Sequence, residues 1–509
     1  MSRYAAIDIG SNSIRMMAAE VSPHAPVQEL ASDRQVVRLG TGVFREGRLT
    51  KDAIDLACQV LDRMAAQYRK LDVLAVRAVG TAALRDASNQ ADFLGRAAEV
   101  IGAPVEVISG LEEARLIHLG VEARWPHPKH RILIVDIGGG SAELILSENG
   151  RLVEAFSKPL GAVRLTELFL KNDPPDAREL ARTERYVQER LTGPVARFGG
   201  LKLDRMIATS ATALAAVCAV NNVRRERRDR ANQMRATARQ IRQLFADLSV
   251  RDRAARAKRT GIGPRRAEII VPGLAVLHEI LRQLKLPSMY YSTAGVRDGI
   301  IADLAHRKAG FEYARLDADQ RRVVRALGRR YGVLAVHVRK VADLAATLFE
   351  SLRPLHSLPP ERGRVIEAAS YLYNIGHYVN EVRHHRHSMY LVANSDLPGF
   401  DAREHAMIAS LCRYHRKSMP NPSHEPFEEL EPEDRRTVVF LAPLLRLAVA
   451  LDQSQQQRVA RVETAISDSA VELRLFSERD VDIERWQAQG VSDVFREVYS
   501  LPLQVTAKR

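Results

Sequence analysis

Short apolar runs alternate with longer stretches of helical periodicity over about the first 300 residues. The short runs are rich in Val and Ile and are bounded by turn residues, a pattern that predicts strands. They span residues 4–9, 14–21, 73–79, 105–108, 132–135, 144–146 and 206–209. Between them, stretches such as 51–69 place apolar residues at the spacing of an amphipathic helix. This alternation predicts an α/β architecture.

The pattern changes beyond about residue 305. Residues 318–352 and most of the chain up to 451 have helical spacing and few β-branched runs. Strand-like alternation returns at 471–475 and 502–505, with a helical stretch at 481–499 between them. We therefore predict a helical domain over residues 306–455 and a small α/β domain over residues 456–509.

A short repeat is the most informative feature of the α/β part. Residues 5–14 (AAIDIGSNSI) align with residues 134–144 (IVDIGGGSAEL). Each copy is a strand, a turn that begins Asp-Ile-Gly, and a second apolar strand. The turns have little side-chain bulk, so their backbone N–H groups can form the concave nest that binds phosphate. The turn residues are Gly10, Ser11, Asn12 and Ser13 in the first copy and Gly138, Gly139, Gly140 and Ser141 in the second.

One such turn would be an ordinary tight turn, but two copies in one chain predict two related domains that face one ligand. An aspartate ends the first strand of each copy. An ionised carboxylate repels phosphate, so Asp8 and Asp136 are better explained as ligands, direct or through water, of a Mg²⁺ ion that bridges to the phosphate. Metal and phosphate would then share one cleft.

Both loops resemble the phosphate-1 and phosphate-2 motifs of the superfamily that contains actin, the sugar kinases and the heat-shock chaperone ATPases. Four blocks narrow the resemblance to one branch: residues 78–85 (AVGTAALR), 108–116 (ISGLEEARL), 135–144 (VDIGGGSAEL) and 292–299 (STAGVRDG). In order and spacing they resemble the exopolyphosphatase and guanosine pentaphosphate phosphatase (Ppx/GppA) family. The likeness covers essentially the whole chain.

The resemblance implies two actin-like (ribonuclease H-like) α/β domains over residues 1–125 and 126–305, each with one phosphate loop. The helical domain after them would be an all-α HD-like domain, followed by the small α/β C-terminal domain. The resemblance also implies a homodimer and a Mg²⁺-dependent reaction. Mn²⁺ is an alternative metal, and a monovalent cation such as K⁺ is a further candidate cofactor.

The block around residue 110 contains two glutamates with different expected roles. Ser109 and Glu112 have the spacing of a capping box, in which the serine binds the amide of residue 112 and the glutamate binds the amide of residue 109. Glu113 has no such role and points about 100° further around the helix, where it is free to reach the cleft. By resemblance, Glu113 is the general base.

Further roles are carried over from the matching motifs. Asp136 and Glu143 would act in catalysis by holding Mg²⁺, with Asp8 as a second-shell or water-mediated metal contact. Arg85 would contact phosphate, with a surface ion pair to Asp86 as the alternative. The residues that would hold phosphate are Gly10, Ser11, Asn12, Ser13, Arg85, Gly138, Gly139, Gly140, Ser141 and Arg297.

Two departures from the family pattern stand out. Ala211 occupies a position where the family usually has glycine, and alanine adopts a positive φ less readily than glycine. We therefore expect altered contacts from that loop. His337, residues 372–377 and Asp452 are spaced like an HD-type metal site, but the central pair is Tyr373 and Asn374, which are poor ligands for divalent cations. We predict a degenerate HD-like fold without catalysis.

Two basic, histidine-rich blocks lie at residues 384–388 (HHRHS) and 413–417 (RYHRK). Metal binding is one interpretation of the histidines, but interleaved Arg and Lys repel a cation and attract a long anion. Both blocks match the family, whose helical domain helps to line a polyphosphate channel. The channel would include His384, His387, Arg413, His415, Arg416 and Lys417. A solvated surface is the alternative.

Composition adds constraints on partners and location. The 509 residues carry a formal net charge of +14 and include no run of about 18 apolar residues that could span a bilayer. Three distant cysteines fit reduced thiols, and the N-terminus shows no export signal. We expect a cytoplasmic protein without membrane contact, whose charge favours polyanions. The arginine-rich run 224–230 contains interleaved acids and is interpreted as a solvated helical face.

The leading hypothesis is a processive exopolyphosphatase that removes terminal orthophosphate from inorganic polyphosphate. The same loops and base would serve a guanosine pentaphosphate (pppGpp) 5′-phosphohydrolase, alone or as a second activity. A nucleoside diphosphate bound in the cleft could also accept the phosphoryl group. A sugar-kinase-like or chaperone-like ATP-binding module would lack the block around Glu113. Binding of polyphosphate or nucleic acid without catalysis rests on charge alone, and Asp136 and Glu143 disfavour it.

Overall fold

A computed structural model describes residues 2–22, 26–306 and 315–508. The chain divides into two compact units, unit 1 from Met1 to Gly310 and unit 2 from Phe311 to Arg509. The predicted boundary after residue 305 lies beside residues 307–314, which are outside the described part. Mixed α/β structure in unit 1 and helical structure in unit 2 confirm the predicted fold class, while the domain boundaries stay predictions.

Two sheets form the frame of unit 1. Their strands are β1 (Ser2–Ile9), β2 (Ser13–Val21), β3 (Gln28–Val36), β4 (Ala75–Gly80), β5 (Val105–Val107), β6 (Arg131–Ile137), β7 (Ala142–Glu148), β8 (Arg151–Lys158), β9 (Arg205–Thr209), β10 (Arg235–Thr237) and β11 (Ser288–Tyr291). The five-stranded sheet has the order β3-β2-β1-β4-β5, and the six-stranded sheet has the order β10-β11-β9-β6-β7-β8.

The two sheets repeat one topology. In the first, β1, β2 and β3 form an antiparallel meander, and β4 joins β1 in parallel. In the second, β6, β7 and β8 form the same meander, and β9 joins β6 in parallel. β5 and β11 extend the parallel side of each sheet. The duplication seen in two short loops therefore extends over whole sheets, as expected of paired actin-like domains.

Helices cover both sheets of unit 1. They are α1 (Val43–Glu46), α2 (Lys51–Tyr68), α3 (Ala82–Asp86), α4 (Gln90–Ile101), α5 (Gly110–Arg124), α6 (Ala162–Phe169), α7 (Ala177–Phe198), α8 (Ser210–Val220), α9 (Ala238–Ser249), α10 (Arg253–Ala257), α11 (Pro264–Ala267), α12 (Ile270–Gln283) and α13 (Val296–His306). Short 3-10 helices span Arg69–Leu71 and Arg225–Ala231.

Helix α5 lies between the two sheets. Leu116 packs with residues of β1 in one hydrophobic cluster, and Ile117 packs with residues of β6 in another. Helix α13 crosses α5 in direct contact, because a Cβ atom on Gly299 would lie only 1.8 Å from the carbonyl oxygen of Leu116. Buried on several sides, α5 carries Glu112 and Glu113 into the interior as well.

A buried ion-pair network ties α5 to its neighbours. Arg77 of β4 lies 2.8 Å from Asp303 of α13 and 3.2 Å from Glu112. Arg115 lies 2.7 Å from Glu112 and 2.8 Å from Asp303. Ser109 Oγ accepts from the Glu112 amide at 3.1 Å, as the capping box predicts, while the Glu112 carboxylate binds the two arginines. The structural role of Glu112 therefore extends beyond the start of α5.

Unit 2 consists mainly of helices, with a small sheet near its C-terminal end. The helices are α14 (Ala318–Arg330), α15 (Ala335–Ser351), α16 (Arg353–His356), α17 (Gly363–Leu372), α18 (His384–Ala393), α19 (Ala402–Tyr414), α20 (Pro432–Ala450), α21 (Asp482–Gln489) and α22 (Ser492–Tyr499). Short 3-10 helices span Pro360–Arg362, Ile375–Tyr378 and Phe427–Glu429. No helix in the described parts of the two units is long and apolar enough to cross a membrane.

The sheet of unit 2 has the order β12-β13-β14, from β12 (Arg461–Ile466), β13 (Val471–Phe476) and β14 (Leu503–Lys508). Its Leu473 belongs to the same hydrophobic cluster as Leu445 of α20 and Phe495 of α22, so the helices and this sheet share a core. The helical stretch predicted at 481–499 forms two helices, because α21 ends at Gln489 with Gly490 as its C-cap, and α22 begins at Ser492.

Five strands escaped prediction: β3, β8, β10, β11 and β12. Four of them are edge strands, which pair on one side only and tolerate charged residues. Residues 28–36 (QELASDRQV), for example, are all exposed or half-buried. β11 is internal but only 4 residues long. Apolar periodicity therefore missed strands that are short or lack an apolar run, although it identified the edge strands β5 and β14.

Removal of Asp303 tests the buried network. Asp303→Ala should lower the free energy of unfolding of unit 1 by about 3–5 kcal/mol, because Arg77 and Arg115 each lose a buried ion-pair partner. Urea unfolding can be followed for unit 1 alone by the fluorescence of Trp125, once Trp486→Phe has removed the only other tryptophan.

Asp247→Ala serves as the control. It removes a more exposed pair with Arg251, 2.7 Å apart on α9 and the loop after it, and should cost less than about 1 kcal/mol. Equal losses for the two variants would contradict the structural role of the network.

Candidate active site

The two phosphate loops meet in one cleft of unit 1. The cleft has a volume of about 510 Å³, and its lining includes Ser11, Asn12, Gly139 and Ser141. A Cβ atom on Gly139 would lie 2.9 Å from Ser11 Cβ, so the loops approach each other more closely than a side chain there permits. The structure thus brings the two copies of the repeat together.

Loop carbonyls are held by chain segments behind the cleft. The carbonyl oxygen of Ser11 accepts from the amide of Gly40 at 2.7 Å, and that of Asn12 accepts from the amides of the two residues that follow β3. The carbonyls of Gly138 and Gly139 accept from the first amides of α6 at 3.0 and 2.9 Å. In a trans peptide, C=O and the following N–H point in opposite directions. We infer that amides 12, 13, 139 and 140 face the cleft as phosphate donors.

Six carboxylates line the same cleft, three of them beside the phosphate loops: Asp8 near the end of β1, Asp136 near the end of β6, and Glu113 in the first turn of α5. The other three are Asp33, Asp229 and Asp298. Thr209 at the end of β9 donates a hydrogen bond to Asp136 and fixes its orientation. Burial raises the pKa of both Asp8 and Asp136. Strand ends and a helix start therefore concentrate negative charge beside the phosphate loops.

The pKa of Glu113 lies near neutral pH. Burial, opposed by the charge of Arg85 and reinforced by Asp8 and Asp136, raises the pKa of Glu113 to about 7. Arg85 Nη1 donates to Glu113 Oε2 at 3.1 Å and to the Ile108 carbonyl at 2.7 Å. A carboxylate whose pKa lies near the working pH is well suited to act as a general base.

Arg85 therefore acts on Glu113. It is not among the residues that line the cleft, so its predicted contact with phosphate stays a prediction. The alternative surface pair with Asp86 is wrong, because Asp86 binds Arg164 at 2.7 Å.

Glu143 lies beneath the floor of the cleft. It faces Asp136 across the β6–β7 hairpin, has no exposed surface, and accepts a hydrogen bond from Ser157 Oγ at 2.8 Å. Burial, together with the charges of Glu113 and Asp136, raises the pKa of Glu143 well above its usual range. Its predicted role as a metal ligand stays a prediction.

The acidic set suits a hard divalent cation. Asp8 and Asp136 raise the pKa of Glu113, and Glu113 and Asp136 raise that of Glu143, so the carboxyls repel one another. A cation among them would relieve that repulsion. Within the described residues there is no group of three or more His, Cys, Asp or Glu side chains arranged to hold a metal. Mg²⁺ keeps several waters and needs only one or two carboxylates.

Arginines line the same cleft as the carboxylates. Arg297 lines it from the start of α13, where its Nη1 donates to the Met16 carbonyl at 3.1 Å. Sequence reasoning missed four further arginines of the lining, which are Arg15, Arg34, Arg228 and Arg266. Burial lowers the pKa of Arg34 to about 9 and that of Arg266 to about 10. Within the described residues, none of these four forms an ion pair with a carboxylate.

Sequence features could have indicated two of these arginines as cleft residues. Arg15 faces Asp8 across the β1–β2 hairpin, as Glu143 faces Asp136 in the second copy, so aligning the second strands of the repeat would have found it. Arg228 belongs to the run interpreted as a solvated helical face. Arg228 is exposed on a short 3-10 helix, as that interpretation expects, but it also lines the cleft.

A side pocket of about 220 Å³ adjoins the cleft and shares several of its lining residues, including Arg34, Arg228 and Arg266. Two more arginines line it, Arg225 and Arg265. Its other wall is formed by small or apolar side chains: Val36, Ala211, Leu214, Ala215 and Cys218.

The expected strain at Ala211 lies one residue earlier. Ser210 and Ala211 are the first two residues of α8, and Ser210 has a φ of 76° in the left-handed region. Both residues line the cleft. The Ser210 hydroxyl is buried and has no hydrogen-bond partner within the described residues. The loop therefore keeps a strained backbone without glycine.

Three separated residues of unit 2 meet as their spacing suggested. His337 Nδ1 lies 2.8 Å from Asp452 Oδ2, and His337 Nε2 lies 2.5 Å from the Tyr373 hydroxyl. Asp452 accepts the Nδ1 proton and Tyr373 donates to Nε2, so both ring nitrogens are occupied. His337 therefore has no free lone pair in this arrangement, and the degenerate HD-like fold stays a prediction.

The residues predicted for the polyphosphate channel differ in their exposure to solvent. Arg416 and Lys417 are exposed, His387 and Arg413 are half-buried, and His384 and His415 are each only 5% exposed. The exposed cations could meet an anion directly. The channel stays a prediction.

Duplicated sheets with two facing phosphate loops, and carboxylates at their strand ends, define a phosphate-processing protein of actin-like fold. The family model described as the Ppx/GppA phosphatase family matches residues 17–308. A second, described as Ppx/GppA phosphatase domain III, matches residues 320–486. The chain belongs to the Ppx/GppA phosphatase family.

Solved structures agree with this assignment. The chain is 29% identical to the Aquifex aeolicus PPX-GPPA enzyme, with a TM-score of 0.52, over 59% of this chain and 99% of that one. It is 26% identical to an exopolyphosphatase-like protein, with a TM-score of 0.57, over 60% and 98% of the two chains. A Cytophaga hutchinsonii exopolyphosphatase, 24% identical with a TM-score of 0.56 over 60% and 98% of the two chains, shares the fold.

The shifted pKa of Glu113 predicts the acid limb of phosphatase activity. Only the carboxylate can accept a proton, so kcat/KM should fall below a midpoint near pH 7. Arg85 favours the charged form. Arg85→Met should therefore raise the pKa of Glu113 and move the midpoint to higher pH by about one unit or more.

The measurement is a pH profile of kcat/KM for phosphate release. Arg96→Met is the control, because Arg96 pairs with Asp55 on the surface and should leave the midpoint in place. An unchanged midpoint in Arg85→Met would remove Arg85 from any role in tuning the base.

Proposed function

We propose that this phosphatase is an exopolyphosphatase that hydrolyses terminal phosphate from inorganic polyphosphate. The observation that carries the proposal is a group of arginines in the cleft besides Arg297. Four of them, namely Arg15, Arg34, Arg228 and Arg266, line the cleft and form no direct ion pair with a carboxylate in the described chain. The side pocket adds two more.

Grouping several arginines in one cleft costs free energy unless an anion neutralises their charge. Burial and the neighbouring arginines lower the pKa of Arg34, which shows that these cations repel one another. One terminal phosphate can be held by the amides of the two loops. A substrate that also engages the arginines must carry further negative groups at some distance from the reacting one. A polyphosphate chain meets this requirement because it bears a charge on every unit.

The residues of the cleft supply the parts of a hydrolytic mechanism. The loop amides would hold the terminal phosphoryl group, and Arg297 would offset charge on its oxygens. Glu113 would orient the attacking water and take its proton, with Arg85 holding the carboxylate in place. Asp8 and Asp136 would hold Mg²⁺, which when bound offsets charge on the phosphoryl group as it transfers.

Release of orthophosphate from long-chain polyphosphate in the presence of Mg²⁺ tests the proposal. Glu113→Gln keeps the shape of the side chain but cannot accept a proton, so kcat should fall by about 10²–10⁴. Glu99→Gln, on the exposed face of α4, is the control and should retain activity. If the unaltered protein released no orthophosphate from the polymer, the proposal would fail.

A pppGpp 5′-phosphohydrolase is the second candidate, favoured by the composition of the side pocket. Its arginines could hold a second phosphate group, while the wall formed by Val36, Leu214 and Cys218 could contact a base or ribose. The catalytic residues would be the same for both substrates.

Arg266→Gln separates the two candidates. If the side pocket holds distal units of the polymer, the variant should raise KM for long polyphosphate about tenfold, because a hydrogen bond to a charged group contributes about 1.5–3 kcal/mol. Tripolyphosphate should be affected less, because it has fewer charged units beyond the reacting one to engage Arg266, which lines both the cleft and the side pocket.

Steady-state kinetics of three substrates, namely long polyphosphate, tripolyphosphate and pppGpp, provide the measurement. Arg185→Gln, on the exposed face of α7, is the charge-matched control. A higher kcat/KM for pppGpp than for polyphosphate, with Arg266→Gln impairing only pppGpp, would favour the second candidate.

A further inference from the structure

Helix α6 holds the second phosphate loop with a side chain as well as with its amides. The carbonyls of Gly138 and Gly139 accept from backbone amides of α6, including the amide of Arg164 at 3.0 Å from the Gly139 oxygen. The next carbonyl, that of Gly140, accepts instead from Arg164 Nε at 2.6 Å. One carbonyl of the loop is therefore held by a side chain that a substitution can change.

The rest of the Arg164 guanidinium contacts helices that follow strands of the other sheet. Its Nη2 lies 2.7 Å from Asp86 Oδ2 at the end of α3. Its Cζ lies 4.0 Å from the centroid of the Phe44 ring in α1, a cation–π contact. Both helices follow strands of the five-stranded sheet, whereas α6 follows β8 of the six-stranded sheet. Arg164 thus joins structure from both sheets.

Close packing surrounds the same point of the loop. A Cβ atom on Gly140 would lie 2.6 Å from Ala82 Cβ and 2.6 Å from Phe44 Cζ. One turn along α6 from Arg164, Glu167 Oε1 accepts from the amide that precedes α1 at 2.8 Å. Residues three apart lie on the same side of a helix, so α6 contacts α1 through two neighbouring side chains.

The bond from Arg164 decides where the next amide points. The carbonyl of Gly140 and the N–H of Ser141 belong to one trans peptide and point in opposite directions. Gly140 and Ser141 line the cleft, whereas Arg164, Asp86 and Phe44 are not among its lining residues. The carbonyl therefore points away from the cleft and the Ser141 amide points into it. Within the described residues, that amide donates to no backbone carbonyl.

We propose that Arg164 is a positioning residue for phosphate binding, which turns the Ser141 amide toward the bound phosphate while Asp86 and Phe44 hold its guanidinium. Asp86 neutralises the charge of Arg164, so the effect on phosphate is one of geometry. A planar guanidinium can bind a carbonyl, a carboxylate and an aromatic face at once, and a lysine ammonium cannot. One phosphate loop thereby depends on residues that follow strands of the other sheet.

The inference rests on the proposed role of the loops in holding phosphate, whichever of the two candidate substrates is hydrolysed. Orthophosphate binding to the full chain with Mg²⁺ present, measured by isothermal titration calorimetry, tests it without turnover. Arg164→Lys keeps the charge but not the geometry. It should weaken the affinity about tenfold or more, because one hydrogen bond to a charged ligand is lost. Arg197→Lys, at a surface pair with Glu154, should leave the affinity unchanged.

A second variant acts from the other side of the contact. Asp86→Asn should weaken orthophosphate binding less than Arg164→Lys does, because it removes only one of the three contacts of the guanidinium. In the double variant the two losses should not add, since both act on the same peptide.

Two further measurements separate positioning from a merely structural role. Arg164 does not contact Glu113, so Arg164→Lys should lower kcat/KM at every pH and leave the midpoint near pH 7 in place. In Arg164→Ala, added methylguanidinium should restore orthophosphate binding by filling the space of the lost side chain, and methylammonium should not.

The outcomes distinguish this inference from the proposed function. If the unaltered chain bound no orthophosphate, the loops would not hold phosphate and both would fail. If the unaltered chain bound it and the two Arg164 variants bound it equally well, only the role of Arg164 would be overturned. If those variants did not fold, Asp86→Asn would decide, because the Asp86 side chain is 37% exposed. Unchanged affinity in that variant would overturn the inference.

Discussion

Burial of α5 between two sheets is the constraint on which unit 1 depends. A helix packed on both sides cannot keep its charged residues at the surface, so Glu112, Glu113 and Arg115 all lie inside. Two of the three are neutralised within the fold by Arg77 and Asp303. Glu113 has only the half-buried Arg85. The same packing that stabilises the core therefore leaves one carboxylate with an unusually high affinity for protons.

Duplication supplied two similar hairpins, but the charges on them differ. In the first hairpin Asp8 faces Arg15, so the acid has a cation across the strand pair. In the second, Asp136 faces Glu143, and acid faces acid. The second hairpin thus accumulates negative charge that favours a metal ion. The first hairpin contributes Arg15 to the cleft instead. Two hairpins of the same topology therefore supply different charges to one site.

Local sequence patterns predicted the parts of this arrangement that depend on neighbours in the chain. The strand–turn–strand repeats and the separation of Glu112 from Glu113 are of this kind, since each is decided within a few residues. Contacts between distant segments were not predictable in the same way. Arg34 lies on an edge strand with no apolar run, and Arg266 reaches the cleft from the short helix α11. Only the folded sheets place them beside the phosphate loops.

Single residues set the local chemistry in each unit. Beside Ala211, the left-handed backbone conformation is taken by Ser210, a residue without the freedom of glycine. In unit 2, burial raises the pKa of Tyr373, so the phenol keeps its proton and donates it to His337. That bond uses the last lone pair of His337.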